Sequence, residues 1–160
     1  VFDKTGTLTE GKLQVAAVNS FADISENELL MLAGSVEQHS EHGIAKAILA
    51  ESVTRNLTLS PITDFSSSAG QGVQAALNQK NILLGTQSWL TELGFIFAHN
   101  VLNQVDNLEQ QGISCVFIAT EGDIVGLIGV ADQLRSDAQS MINWVILHDT
   151  LKFYRKIRRM

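Results

Sequence analysis

Over residues 12–20 the apolar side chains Leu13, Val15 and Ala17 alternate with other residues, and this period of two predicts a strand. The run Ser25-Glu26-Asn27-Glu28 has the form of a capping box, in which a serine oxygen and a glutamate three residues on satisfy each other's backbone N–H groups. Leu29, Leu32, Ala33 and Val36 then recur at helical spacing, which predicts a helix of about three turns. A second helix is expected to start near His42, with Ile44, Ala47, Ile48 and Glu51 on successive turns. Pro61 is the only proline and marks a boundary, beyond which the pattern changes to sheet. Residues 62–68, 72–77 and 81–84 read as three strands separated by turn residues. Thr86 is placed to cap a short helix carrying Trp89, Leu90 and Leu93, ended by Gly94. Val101, Val105 and Leu108 form a further helical face, ended by Gly112. Residues 115–118 and 124–127 are apolar strands joined by Glu121-Gly122-Asp123, a hairpin turn. Strands and helices segregate in this order, so the fold class is α+β, with a largely antiparallel sheet and two helical pairs.

Composition limits what such a fold can do. With 160 residues, 45% of them apolar, the chain can bury a core for one domain and hold parts of a second. The net charge of −6 speaks against a nucleic-acid partner, since phosphate backbones call for clustered Lys and Arg. The single cysteine, Cys115, lies in an apolar run and is expected to be buried. It has no internal disulfide partner, so a reducing compartment is the simpler expectation. No apolar run approaches the roughly 20 residues that span a bilayer, and a soluble piece is expected. Five of the 11 basic residues crowd into the last nine positions, a break from the acidic chain before them. His39, His99 and His148 share no ligand spacing, and Trp89 and Trp144 read as packing residues.

The chemistry starts at the first residues, Asp3-Lys4-Thr5-Gly6-Thr7-Leu8-Thr9. A carboxylate just after an apolar strand end sits where open α/β sheets place their sites, and an ionised Asp3 can attack phosphorus. Lys4 adds positive charge, Gly6 allows a tight turn whose N–H groups face a phosphate, and Thr5 and Thr7 offer hydroxyls. Any three of these residues would make an ordinary capped turn. All seven in unbroken order resemble the phosphorylation signature of the P-type ATPases, within the wider haloacid-dehalogenase-like superfamily. The resemblance implies that Asp3 accepts the γ-phosphate of ATP, with magnesium at the same site. Many hydrolases of that superfamily carry a second aspartate two residues after the nucleophile, and here that position is Thr5. Threonine cannot shuttle a proton near neutral pH, so an aspartyl phosphate would persist, which suits a pump better than a phosphatase.

A second segment narrows the branch. Glu37-Gln38-His39-Ser40-Glu41-His42, followed by Gly43, closely resembles the Ser-Glu-His-Pro segment of heavy-metal-transporting P-type ATPases (the copper, cadmium and zinc branch). Alone, His42 is an ordinary helix-start histidine and Gly70-Gln71-Gly72 an ordinary turn. In this order and after the aspartate motif, the resemblance implies that Glu37 and His42 contact adenine while Gly70 and Gly72 let the backbone approach the nucleotide. Gly43 departs from the family's proline, and a looser histidine with weaker ATP binding is expected. Asp132-Gln133-Leu134-Arg135 resembles the Asp-x-x-Arg hinge between the nucleotide and phosphorylation domains, with Asp132 and Arg135 as its residues.

The expected organisation follows from the resemblance. Residues 1–11 and 131–160 would be stubs of a phosphorylation domain, the second with a divergent basic tail, and residues 12–130 a nucleotide-binding domain. The implied partners are ATP or ADP and the rest of a parent ATPase (its phosphorylation, actuator and membrane domains), on the cytoplasmic side of a membrane. The Thr-Gly-Asp segment, the phosphate-facing lysine and the Gly-Asp-Gly-x-Asn-Asp magnesium loop of the family do not occur in these 160 residues. The chain alone is therefore expected to be inactive as an ATPase. The alternative expectation is a non-catalytic, truncated nucleotide-binding module.

Overall fold

The computed structural model describes residues 9–134. Asp3, Lys4, Thr5, Arg135 and the basic tail lie outside the described residues. The chain divides into two units, Leu13–Ala131 and a second made of Val1–Lys12 with Asp132–Met160. The first unit carries the cores and the cavity described below.

Among the described residues there are six strands and four helices. In chain order they are β1 (Thr9–Ser20), α1 (Glu26–Glu37), α2 (Gly43–Thr54), β2 (Thr63–Ser68), β3 (Gly72–Leu77), β4 (Lys80–Gly85), α3 (Gln87–Glu92), α4 (His99–Gln110), β5 (Ser114–Thr120) and β6 (Asp123–Leu134). The strands form one sheet in the order β1-β6-β5-β4-β3-β2, and the four pairings from β2 to β6 are antiparallel. The expected α+β class is what the structure shows.

Local chemistry accounts for the element boundaries. Ser25 caps α1, its hydroxyl accepting from the Glu28 N–H at 3.2 Å while its own N–H donates to the Glu28 carboxylate at 2.7 Å. Replacing Ser25 by Ala removes the side-chain acceptor and is expected to lower stability by about 1 kcal/mol, readable as a shifted urea midpoint at constant slope. Asn78-Gln79 joins β3 to β4 with both residues at positive φ (48° and 66°), as a two-residue hairpin turn requires. Glu121-Gly122 (52° and 92°) joins β5 to β6 in the same way. Asp64, also at positive φ, sits where the β2–β3 register shifts, so the polar edge strand β2 carries a bulge. A bulged, polar edge pairs poorly with a second chain.

Each sheet face has its own core. On one face α1 and α2 bury Leu29, Leu30, Ala33, Val36 and Ile48 against Val73, Ala75, Leu84, Val116 and Ile128. On the other, α3 and α4 bury Trp89, Leu90, Val101 and Val105 against Leu83, Phe117 and Leu127. Full burial of an aliphatic side chain of this kind contributes about 1.5–3 kcal/mol. The two helical pairs therefore bracket the sheet, and α1 and α2 are additionally tied by Arg55. Its guanidinium bonds Glu51 at 2.7 Å on its own side and Asn27 at 3.0 Å on the neighbouring helix.

Candidate functional site

At one end of the sheet a cavity of about 200 Å3 opens between the α1–α2 corner and the β2–β3 hairpin loop. Glu37, Ser40 and His42 line it from the corner, and residues 67–72 from the hairpin loop. Val73, Leu84 and Val116 supply its apolar wall, with Gly85, Thr86 and Cys115 at the edge. The structure thus brings Glu37, His42, Gly70 and Gly72 around one space, although 35 positions separate the first from the last. Asp132 lies in β6, partly buried, and does not line this cavity.

Glu37 is the unusual group. It is the last residue of α1, only 5% exposed, and its Oε2 is buried without a hydrogen-bond partner. The helix macrodipole puts partial negative charge at that end, so a buried acid there opposes the local field. Burial pushes the Glu37 carboxyl above the ordinary range, with the Ser40 hydroxyl bond and the nearby His42 acting in the opposite direction. An orphaned buried acceptor costs about 1–3 kcal/mol, so a donor arriving in the cavity would recover that energy.

His42 is held differently. It caps α2 with extended backbone (φ −64°, ψ 150°), and its Nδ1 accepts from the Ile44 N–H at 3.3 Å. With Nδ1 so engaged, Nε2 is the nitrogen left to donate. The His42 N–H in turn donates to the Ser40 hydroxyl at 3.4 Å, and the Ser40 N–H donates to the Glu37 carbonyl at 2.9 Å. Ser40 therefore joins both predicted ligands in one short network. Sequence reasoning gave Ser40 no role of its own.

The two predicted glycines serve different ends. Gly70 has φ +71°, and a Cβ there would meet nothing within 4 Å, so the turn needs its backbone freedom. Gly72 pairs with Gly85 across β3 and β4. A Cβ at Gly72 would strike the Leu84 carbonyl oxygen, and would lie 2.7 Å from the Trp89 ring and 2.6 Å from the Gly85 Cα. A Cβ at Gly85 would strike the same ring and lie 2.7 Å from the Gln71 carbonyl oxygen. Gly72 is thus required by packing within the protein. Gly85 and Thr86 also line the site, where the sequence pattern gave Thr86 only as a helix cap and assigned Gly85 no role.

Cys115 corrects one expectation. It is partly exposed rather than fully buried, and it stands at the edge of the cavity. Its place at the start of β5, where the sheet ends, explains the difference. Burial, and behind it the Glu109 carboxylate, pushes the thiol up to about 11, so it is neutral at physiological pH. Among the described residues no cluster of three His, Cys, Asp or Glu is arranged to hold a metal ion. None of the described helices is long and apolar enough to cross a membrane.

Several known proteins are similar to this chain. Residues 1–150 match the haloacid dehalogenase-like hydrolase family. A copper-exporting P-type ATPase B of Archaeoglobus fulgidus is 37% identical over 143 residues, covering 89% of this chain and 20% of that protein. The crystal structure of a zinc-transporting PIB-type ATPase superposes with a TM-score of 0.79 at 34% identity, over 89% of this chain and 22% of that one. The N-domain of HMA8, a copper-transporting P-type ATPase, superposes with a TM-score of 0.62 at 26% identity, over 72% of this chain and 97% of that one. The chain spans about a fifth of the length of the curated relatives it matches. By sequence and fold, the chain belongs to the haloacid dehalogenase-like hydrolase family and, within it, to the heavy-metal P-type ATPases.

Proposed function

We propose that Leu13–Ala131 is the ATP-binding unit of a heavy-metal cation-transporting P-type ATPase, working on the cytoplasmic side of the membrane. The observation that carries this reading is that Glu37, whose buried Oε2 has no hydrogen-bond partner, lines a cavity together with His42, Gly70 and Gly72. Adenine has what that oxygen lacks, an exocyclic amino group that donates hydrogen bonds. The apolar wall of Val73, Leu84 and Val116 suits the faces of a purine ring, and His42 Nε2 can donate to an acceptor on it. The turn 69–71 leaves an open approach for the ribose and phosphates, since the space around the Gly70 Cα is free.

In the whole enzyme, ATP held here would deliver its γ-phosphoryl group to Asp3, releasing ADP, with magnesium offsetting the charge that develops. Asp3, Lys4, Thr5 and the hinge residue Arg135 enter this reading through their motifs, and Asp132 through its place before Arg135. The phosphorylation, actuator and membrane domains of a parent ATPase are the implied partners, and a heavy-metal ion is its cargo. Both copper and zinc transporters are among the similar proteins, so the cargo is proposed only as a class.

Calorimetric titration of the 160-residue chain with ATP, ADP and GTP, with and without magnesium, tests the reading. Saturable binding of ATP and ADP, weaker for GTP, is the expected outcome. Heats indistinguishable from dilution for all three would overturn it.

Gly43 sets the affinity. It is the first residue of α2, where a proline's missing N–H costs nothing and its fixed φ suits the helix. His42 already has the extended backbone that precedes proline, and a Cβ at Gly43 would meet only the flexible end of Leu13, at 3.3 Å. Gly43→Pro is expected to stabilise the fold by about 0.4–1 kcal/mol by restricting the unfolded chain. It should also tighten ATP binding several-fold by fixing His42. An unchanged dissociation constant in the same titration would remove this account of Gly43.

A further inference from the structure

The hairpin loop that lines the cavity packs against a residue that does not itself line it. Gly72 and Gly85 are register partners at the end of β3 and β4, and both lack a Cβ on the side occupied by the Trp89 ring. Trp89 is 8% exposed and belongs to the core formed by α3 and α4, whereas the cavity wall of Val73, Leu84 and Val116 belongs to the core under α1 and α2. The indole therefore lies against the sheet on the face opposite the cavity's apolar wall, beneath the strand ends that carry the loop.

Hydrogen bonds close the same circuit. The Thr86 N–H donates to the Gln71 carbonyl at 2.9 Å, so the hairpin loop is tied to the residue that opens α3. The Thr86 hydroxyl accepts from the Trp89 N–H at 3.3 Å, and the Thr86 carbonyl accepts from the Leu90 N–H at 3.1 Å. Loop, helix cap and indole form one closed ring of contacts: Gln71 to Thr86, Thr86 to Trp89, and Trp89 back to Gly72. The Trp89 ring fills the space in which either glycine would carry a Cβ, so the members of this ring pack closely on one another.

We propose that Trp89 is a positioning residue for the nucleotide site, fixing the turn 69–72 from the opposite face of the sheet. The proposal rests on the nucleotide-binding reading above. It has two consequences. Losing the indole lets the loop adopt many positions, so ordering it again on binding weakens affinity. Conversely, nucleotide that fixes the loop changes the surroundings of the indole, although the two do not touch.

The chain contains two tryptophans, Trp89 and Trp144. Trp144→Phe leaves Trp89 as the only one, so its emission reports on this position alone. The test titrates ATP and ADP into three chains, the Trp144→Phe variant by fluorescence and Trp89→Leu and Trp89→Phe by calorimetry, with the parent chain as reference. Saturating nucleotide should shift or quench Trp89 emission with a midpoint equal to the calorimetric dissociation constant. Trp89→Leu should weaken ATP by about tenfold, a loss equivalent to roughly 1.4 kcal/mol, while Trp89→Phe retains affinity within about threefold. Melting curves of both variants show whether they remain folded. A folded Trp89→Leu chain that binds ATP like the parent overturns the proposal. Where Trp89→Leu does not fold, an emission spectrum unmoved by saturating nucleotide overturns it. A parent chain that binds no nucleotide instead overturns the nucleotide-binding reading, and this proposal with it.

Discussion

Glu37→Gln is expected to melt at a higher temperature than the parent chain at pH 8, while Glu37→Ala loses roughly 10- to 100-fold in ATP affinity. The first effect comes from the protein alone. Burial raises the Glu37 carboxyl above its unfolded value of 4.5, so the folded state holds that proton more tightly than the unfolded state does. Its contribution to stability is full below pH 4.5 and is lost as the pH rises through the raised value. An amide of the same shape does not ionise, so the gap between variant and parent should be absent near pH 4 and open by pH 8. Removing part of an unmet desolvation cost of about 1–3 kcal/mol should raise the melting temperature by about 2–4 °C in a chain of this size. The second effect is the loss of a charge-assisted hydrogen bond to the ligand, worth about 1.5–3 kcal/mol. Both outcomes together would mark Glu37 as an acid retained against stability for the sake of a ligand. A Glu37→Gln chain that melts below the parent at pH 8 would show instead that the carboxylate stabilises the fold.

Much of the fold was legible because its signals are local. The Ser25 capping box, the Thr86 cap and the Glu121-Gly122 turn each depend on residues within three positions of one another, and each appears where the pattern put it. That Glu37, His42, Gly70 and Gly72 belong around one space was legible for a different reason. Glu37 and His42 stand five apart in a recognisable segment, and the family resemblance supplied the distant Gly70 and Gly72. What stayed hidden is non-local. Nothing beside Gly85 in sequence says that it faces Gly72 across a ladder, and nothing near Trp89 says that its ring covers both. Trp89 was legible as a packing residue, but a period of 3.6 does not name the partner. Cys115 was misjudged because an apolar run does not reveal where the sheet ends. Strand β6 likewise runs to Leu134, beyond the apolar residues that announced it.

Gly70→Ala and Gly72→Ala should part company sharply, although the two residues are two positions apart and the sequence treats them as a pair. At Gly70 a methyl group meets open space, and the only cost is the left-handed backbone at φ +71°. That cost is about 1–2 kcal/mol for a residue with a side chain. At Gly72 the backbone carries no such strain, but the methyl group strikes the Leu84 carbonyl oxygen and crowds the Gly85 Cα and the Trp89 ring. A flexible side-chain end could move aside, whereas a carbonyl in the adjoining strand cannot move without opening the β3–β4 ladder. Overpacking of well-packed interiors costs about 1–3 kcal/mol and more where the backbone must shift, so a loss of about 3 kcal/mol or greater is expected. In a chain whose whole stability is about 5–15 kcal/mol, such a loss leaves a marginal fold. Denaturant melts of both variants measure the difference directly. If Gly72→Ala proved as mild as Gly70→Ala but abolished ATP binding, the missing side chain at Gly72 would serve the nucleotide. If it unfolds the sheet end first, the glycine serves the strands, and the nucleotide uses a gap that the protein's own packing already requires.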